Sequence, residues 1–245
     1  MPMTHFSLTA IALLLAAIVA TAAAVSTEPD HMPVVLLFGD SLTAGSGVAP
    51  DEAFPARIQA RLNAGGRRVR IVNAGLAGET SAAGVRRIAW VLRAPVEVFV
   101  LELGGNDGLR GLPLDQTESN LQAILDTVKA KSPDAALVVA GVRLPPNLGP
   151  HYTDAFESMF PRLAKANDAA LIPRLLAGVG GDRELMSGDG IHPNAAGHQR
   201  VAETLWQTLE PLLSRLDASA GAAQDLEGGR VADPPAAGDA DGDGQ

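Results

Sequence analysis

No cysteine occurs in the 245 residues. Disulfides are therefore excluded, and so is lipid attachment at a processed N-terminal cysteine; the absence fits an oxidising and a reducing compartment equally. Basic charge is scarce as well: 19 Lys and Arg stand against 28 Asp and Glu, a formal net charge of −9. There is no G-x-x-x-x-G-K-[ST] run and no G-x-G-x-x-G between a strand and a helix, so nucleotide use has no support and no cofactor is implied. Internal repeats are absent too.

The two ends differ from the middle. Residues 1–24 carry an almost wholly Ala, Ile, Leu and Val stretch at Ile11–Ala20 and then the small residues Thr21-Ala22-Ala23-Ala24. That pattern predicts a secretory signal peptide cleaved after Ala24, and hence a periplasmic or secreted protein. It departs from the usual pattern in lacking Lys or Arg ahead of the apolar core. The alternative, an uncleaved membrane anchor, is disfavoured because the apolar stretch falls short of the ~20 residues of a comfortable span. Residues 217–245 are rich in Ala, Gly, Pro and Asp. They hold seven acids and one Arg, which accounts for six of the nine net negative charges. So little apolar surface cannot offset the entropy of ordering, and a disordered acidic tail is expected. Without the tail the chain is close to neutral, which leaves no basic patch for nucleic acid. Residues 30–216 remain as one domain with ample length for a core.

Within that domain short apolar runs alternate with segments of helical period. The runs are Val34–Phe38, Val69–Val72, Val96–Leu103, Ala136–Val142 and Ala170–Ile172. Continuous rather than alternating apolar strands imply a parallel sheet covered on both faces. Leu121, Ile124, Leu125 and Val128 form one helical stripe, with stop signals at Lys129, Lys131, Ser132 and Pro133. Residues 54–64, 80–93 and 154–168 read as helices too, Gly65-Gly66 ending the first. A last helix is expected at about 195–214, with Asn194 as its N-cap. The strict β-α alternation predicts a three-layer α/β/α sandwich around five parallel strands.

Polar residues cluster where these strands end. Gly39-Asp40-Ser41 follows the first, Asn73–Thr80 with Gly78 the second, and Gly104-Gly105-Asn106-Asp107-Gly108 the third. Ser187-Gly188-Asp189-Gly190-Ile191-His192-Pro193 precedes the last helix. In a parallel sheet the post-strand loops emerge at one edge, the edge at which ligands bind. Ser41 offers a hydroxyl nucleophile, His192 a base, and Asp189, three residues earlier, a carboxylate that can hold the imidazole tautomer. The N–H groups of Ser41 and Gly78 and the Asn106 amide can serve as oxyanion donors. Asp40, beside the serine, is expected to brace the turn rather than to act as the triad acid. Asp189, His192 and His198 could alternatively ligate a metal, but no further ligand cluster accompanies them, and no metal is expected. The serine lies in Gly39-x-Ser41-x-Thr43 rather than in G-x-S-x-G, and acid and base share one loop, so the α/β-hydrolase elbow is not present.

Gly39-Asp40-Ser41-Leu42, Gly78, Gly104-Gly105-Asn106-Asp107 and Asp189-Gly190-Ile191-His192-Pro193 resemble the four sequence blocks of the SGNH (GDSL) hydrolase superfamily. Leu103–Gly111 and Arg143-Leu144-Pro145-Pro146-Asn147 resemble its bacterial periplasmic branch, the thioesterase I, protease I and lysophospholipase L1 group often termed arylesterases. The likeness spans about residues 33–215. It implies a flavodoxin-like sheet of five parallel strands, a Ser41-His192-Asp189 triad, and an oxyanion hole of Ser41, Gly78 and Asn106. The expected reaction is acyl transfer to water through an acyl-serine.

No long insertion suggests a lid, so an open groove is expected. Leu109, Leu144, Pro145 and Met186 are its candidate acyl-chain walls by position and family likeness. Aryl and short-to-medium acyl esters, lysophospholipids and acyl thioesters all stay open as substrates, although acyl-CoA, being cytosolic, sits awkwardly with export. The expected partners are a small ester or lipid and transient contact with membrane lipid, for a monomeric protein. A carbohydrate O-acetyl esterase and a catalytically silent binding protein are the alternatives.

Overall fold

The computed structural model describes residues 31–228. The expected signal peptide at 1–24 and the tail beyond Gly228 lie outside the described residues. From Pro33 on, the chain forms a unit of its own.

Five strands form its centre: β1 (Val34–Gly39), β2 (Arg70–Gly75), β3 (Val98–Glu102), β4 (Ala136–Ala140) and β5 (Ala170–Ile172). They pair in the order β2-β1-β3-β4-β5, and every pairing is parallel. The apolar runs form strands because both faces are covered: every residue of β1 and of β3 is buried. Alternate side chains feed two separate cores. Leu36, Phe38, Phe99 and Leu101 point to one, and Val35, Leu37, Val98 and Val100 to the other.

The first core is closed by helices α3 (Ser81–Val91), α5 (Leu114–Lys131) and α6 (Pro150–Ala166), which supply Ile88, Leu121, Ile124, Leu125, Phe156 and Phe160. The second is closed by α2 (Phe54–Ala64) and α7 (Ala195–Gly228), through Ile58, Leu62, Val201, Leu205 and Leu209. This is the expected three-layer sandwich. The predicted stripe of α5 is buried, and the helix stops at Lys131 with Ser132 as its C-cap. Asn194 caps α7 as expected, its Oδ1 accepting the Gly197 N–H at 3.0 Å.

Four details differ from the sequence expectation. Asn73-Ala74-Gly75, expected to be loop, continues β2, because pairing with β1 persists to Gly39↔Gly75. Two short helices, α1 (Ser41–Ala44) and α4 (Gly105–Leu109), follow β1 and β3. They are too short to show a period and are set by their caps, an Asp40 side chain for α1 and a left-handed Gly104 (φ 107°) for α4. Finally, α7 does not stop near residue 214 but runs to Gly228. Residues 217–228, assigned to the disordered tail by their composition, continue the helix. Alanine-rich sequence carries high helix propensity even where it offers no apolar stripe.

The α2–α7 contact holds a buried imidazole. His198 is 1% exposed, stacks on Phe54 with ring centroids 6.0 Å apart, and accepts the Phe54 N–H on Nδ1 at 3.3 Å. Burial, reinforced by the charges of Arg57 and His192 and opposed by Glu52, pulls its pKa from 6.5 to about 4. The folded protein thus refuses a proton that the unfolded chain accepts between those values, so stability is lost as pH falls from 6.5 towards 4. Denaturant titrations over that range should show a shallower fall in His198→Gln, which cannot ionise, than in the wild type. In the other core, Phe99→Ala removes a fully buried ring packed near Phe38. It should cost about 3–5 kcal/mol in urea unfolding.

Candidate active site

β1 pairs with β2 on one side and β3 on the other, so the winding of the sheet reverses there, the place at whose carboxyl edge open parallel sheets bind ligands. Ser41 stands there as the first residue of α1. Asp40, the N-cap, accepts the Leu42 N–H on Oδ1 at 3.0 Å and so fixes the sharp turn out of β1. It braces the turn, as its position implied.

The serine hydroxyl lies 2.9 Å from Nε2 of His192, and Nδ1 of that imidazole lies 2.6 Å from Oδ2 of Asp189. The other Asp189 oxygen accepts the backbone N–H groups of Ile191 and His192 at 2.9 and 3.0 Å. These contacts, the imidazole first among them, pull the Asp189 carboxyl down to about 2 although it is exposed. It therefore stays ionised across the neutral range and favours the tautomer with hydrogen on Nδ1, leaving the Nε2 lone pair towards Ser41.

The loop that carries acid and base is stitched to itself and to α7. Ser187 donates its N–H to the His192 carbonyl at 2.7 Å, and Met186 bridges Pro193 in antiparallel fashion. Asn194 donates from Nδ2 to the Glu184 carbonyl at 2.8 Å while its Oδ1 caps the helix.

Asn106, on α4, donates from Nδ2 to Asp40 Oδ2 at 3.0 Å. One amide hydrogen is thus used to orient the group and the other is left for a ligand. Gly78 lies in the loop after β2, and three contacts fix that loop. Arg110 donates to the Gly78 carbonyl at 3.2 Å. Arg87 forks onto Glu79, also reaches the Ala74 carbonyl, and rests over the Phe38 ring. Asp107 accepts Ser81 N–H and Oγ–H at 2.8 and 2.6 Å. Since Asp107 follows Asn106 and Ser81 lies three residues past Gly78, this buried pair ties the two loops together.

The structure therefore brings Ser41, His192, Asp189 and Asn106 into one connected set, with the Gly78 loop anchored to the same framework. Of the four candidate wall residues, Leu109 is 41% exposed and Pro145 is exposed. Leu144 and Met186 are buried, one in each core, and Leu144 packs so closely on α4 that a side chain at Gly108 would meet it. His198 faces Phe54, away from any shared ligand set with Asp189; among the described residues no metal-holding group of His, Cys, Asp and Glu occurs.

Sequence reasoning missed Leu76 and Ile191, large apolar side chains 50% and 48% exposed, placed two residues before Gly78 and one before His192. It also passed over Asp107 and Glu102. For Glu102 a signal existed, an acid inside an otherwise apolar strand.

Residues 37–200 match the GDSL-like Lipase/Acylhydrolase family. Esterase TesA of Pseudomonas aeruginosa is 39% identical over 188 residues, 76% of this chain and 92% of that protein. The thioesterase 1/protease 1/lysophospholipase L1 of Escherichia coli is 38% identical over 181 residues, 74% of this chain and 85% of that protein. A crystal structure of TesA superposes with a TM-score of 0.70 at 39% identity, over 73% of this chain and 99% of that one. With its strand order, its Ser-His-Asp chain of hydrogen bonds and these matches, the chain belongs to the GDSL-like lipase/acylhydrolase family.

Proposed function

We propose that this protein is a serine esterase in which Ser41 is the nucleophile, His192 the general base and acid, and Asp189 the residue that orients and charges the imidazole. The observation that carries this reading is the unbroken run from Ser41 Oγ through His192 to Asp189, at 2.9 and 2.6 Å. Oγ attacks the ester carbonyl carbon while its proton passes to Nε2. The oxyanion so formed meets the N–H groups of Ser41 and Gly78 and the free Asn106 amide hydrogen. The imidazolium then protonates the leaving oxygen or sulfur, and the C–O or C–S bond breaks to leave acyl-Ser41. Water, deprotonated by the same Nε2, attacks the acyl carbon, and the proton returns to Oγ as the acid leaves.

Esters with apolar acyl or aryl groups fit the surroundings best. Leu76 and Ile191 are exposed on loops that carry the site and Leu109 at the end of α4, and an exposed apolar side chain beside polar machinery suits an acyl chain better than a sugar. The relatives named esterase, and thioesterase 1/protease 1/lysophospholipase L1, agree with that substrate range. Lysophospholipids and simple esters are favoured over acyl-CoA by the apolar stretch and small-residue site of residues 1–24, which support export to the periplasm or beyond. No cofactor is needed for any step. The hydrolase domain, expected at residues 30–216, extends in this reading through the rest of α7 to Gly228.

A panel of p-nitrophenyl esters of increasing chain length, with lysophosphatidylcholine and an acyl-CoA alongside, tests the proposal. Turnover should be greatest on short-to-medium acyl esters. Ser41→Ala should lower kcat by at least about 10⁴-fold and abolish fluorophosphonate labelling with the fold intact by circular dichroism. Asn106→Ala should lower it by about 10²–10³-fold. Ester hydrolysis left intact in Ser41→Ala would overturn the mechanism.

A further inference from the structure

Beneath the nucleophile turn two acids lie side by side, with no cation paired to either among the described residues. Glu102 ends β3 and is 2% exposed, and its register partner on β1 is Gly39. Its Oε2 accepts the Asp40 N–H at 3.3 Å and the Thr43 hydroxyl at 2.7 Å. The other oxygen, Oε1, is buried with no hydrogen-bond partner among the described residues. Asp40, 3% exposed, has a donor on each oxygen, the Leu42 N–H and the Asn106 amide. Gly39 belongs to the same arrangement. A Cβ there would lie 2.2 Å from Thr43 Oγ1 and 2.5 Å from Glu102 Oε2, so the volume a side chain would need is already filled by these oxygens.

We infer that Glu102 is a positioning residue held as a neutral carboxylic acid, which locks the nucleophile turn from below and, through Asp40, sets the Asn106 amide. The inference rests on the proposed roles of Ser41 and Asn106. Two adjacent buried carboxylates cannot both be charged without large cost, so one keeps a proton. Asp40 has both oxygens served by donors and is the better anion. Glu102 has both its donors on one oxygen, the pattern of an acid whose carbonyl oxygen accepts while the other oxygen carries hydrogen. Burial and then the Asp40 charge push Glu102 well above the usual range. Asp40 itself is raised to about 6, chiefly by burial; the Leu42 N–H, Asn106 and His192 oppose that rise and Glu79 adds to it. A proton on Glu102 removes a second negative charge from beneath the place where the oxyanion forms, and leaves Asp40 to grip Asn106.

Glu102→Gln, Glu102→Ala and Thr43→Val, each alone and the alanine variant also with Asn106→Ala, test this. Glutamine copies the neutral acid, accepting on one oxygen, so Glu102→Gln should keep kcat within about threefold. Glu102→Ala should lose about tenfold or more in kcat with KM little changed, and Thr43→Val less. The loss from Glu102→Ala should shrink in the Asn106→Ala background, because the missing bracing then has no amide left to set. Two readouts need no activity. The infrared carbonyl band of a protonated carboxyl should be present in the wild type at pH 7 and missing from Glu102→Gln. The stability of Glu102→Gln relative to the wild type should rise as pH rises above 4.5, since only the wild type must hold back a proton that its unfolded chain releases. An absent band, a pH-independent stability difference, or a Gln variant as slow as the Ala variant would each overturn the inference. Should Glu102→Ala fail to fold, Glu102→Gln and Thr43→Val still decide it. The band and the pH slope stand apart from the esterase reading, which Ser41→Ala tests separately.

Discussion

β1 lies between β2 and β3 and runs parallel to both. Most of the site depends on this arrangement. Three strands that point the same way deliver their next residues to one edge, so Ser41, Gly78 and Asn106 arrive together although the chain between them is long. The long helices between strands bury the faces, while the short α1 and α4 at the strand ends carry Ser41 and Asn106. The fourth part, the loop with Asp189 and His192, comes from ahead of α7, and its place is set by how α7 packs on α2 and β5. Burial in the two cores thus positions polar groups that themselves contribute little to burial.

Two aspartates within the same small site show how strongly surroundings decide behaviour. Asp189 is exposed and yet is pulled down to about 2, because an imidazole and two backbone N–H groups all stabilise its charge. Asp40 is buried and is pushed up to about 6, despite its own two donors, because desolvation outweighs them. Exposure allows Asp189 to be an anion at small cost. Asp40 needs its hydrogen bonds simply to limit the cost of being where it is. The first suits a group that must stay charged beside a base, the second a structural cap.

Much of this was legible in the residues. Val34–Phe38 and the core of β3 read as buried parallel strands because two covered faces leave no polar alternation. Leu121, Ile124, Leu125 and Val128 read as a helix because one covered face leaves a stripe. Ser41, Gly78, Asn106, Asp189 and His192 stood out because polar residues and glycine recur where apolar runs stop. Other features were hidden. Helices α1 and α4 contain four and five residues, less than any period needs, and depend on caps. The continuation of β2 through Asn73-Ala74-Gly75 follows from pairing with a neighbour, which no local composition reports. The extension of α7 to Gly228 runs through residues whose composition reads as tail. Glu102 was counted as part of an apolar run, though its partners come from residues about sixty positions earlier.

Asp189 and His192 occupy one six-residue turn, closed by Ser187 N–H to the His192 carbonyl and by the Asp189 contacts to residues 191 and 192. That pair is assembled locally, like a cartridge made before it is fitted. The long-range joint in the proposed triad is the single contact between His192 and Ser41, 151 positions apart in the chain. A movement of α7 away from the sheet would therefore part His192 from Ser41 and leave the imidazole and its carboxylate together.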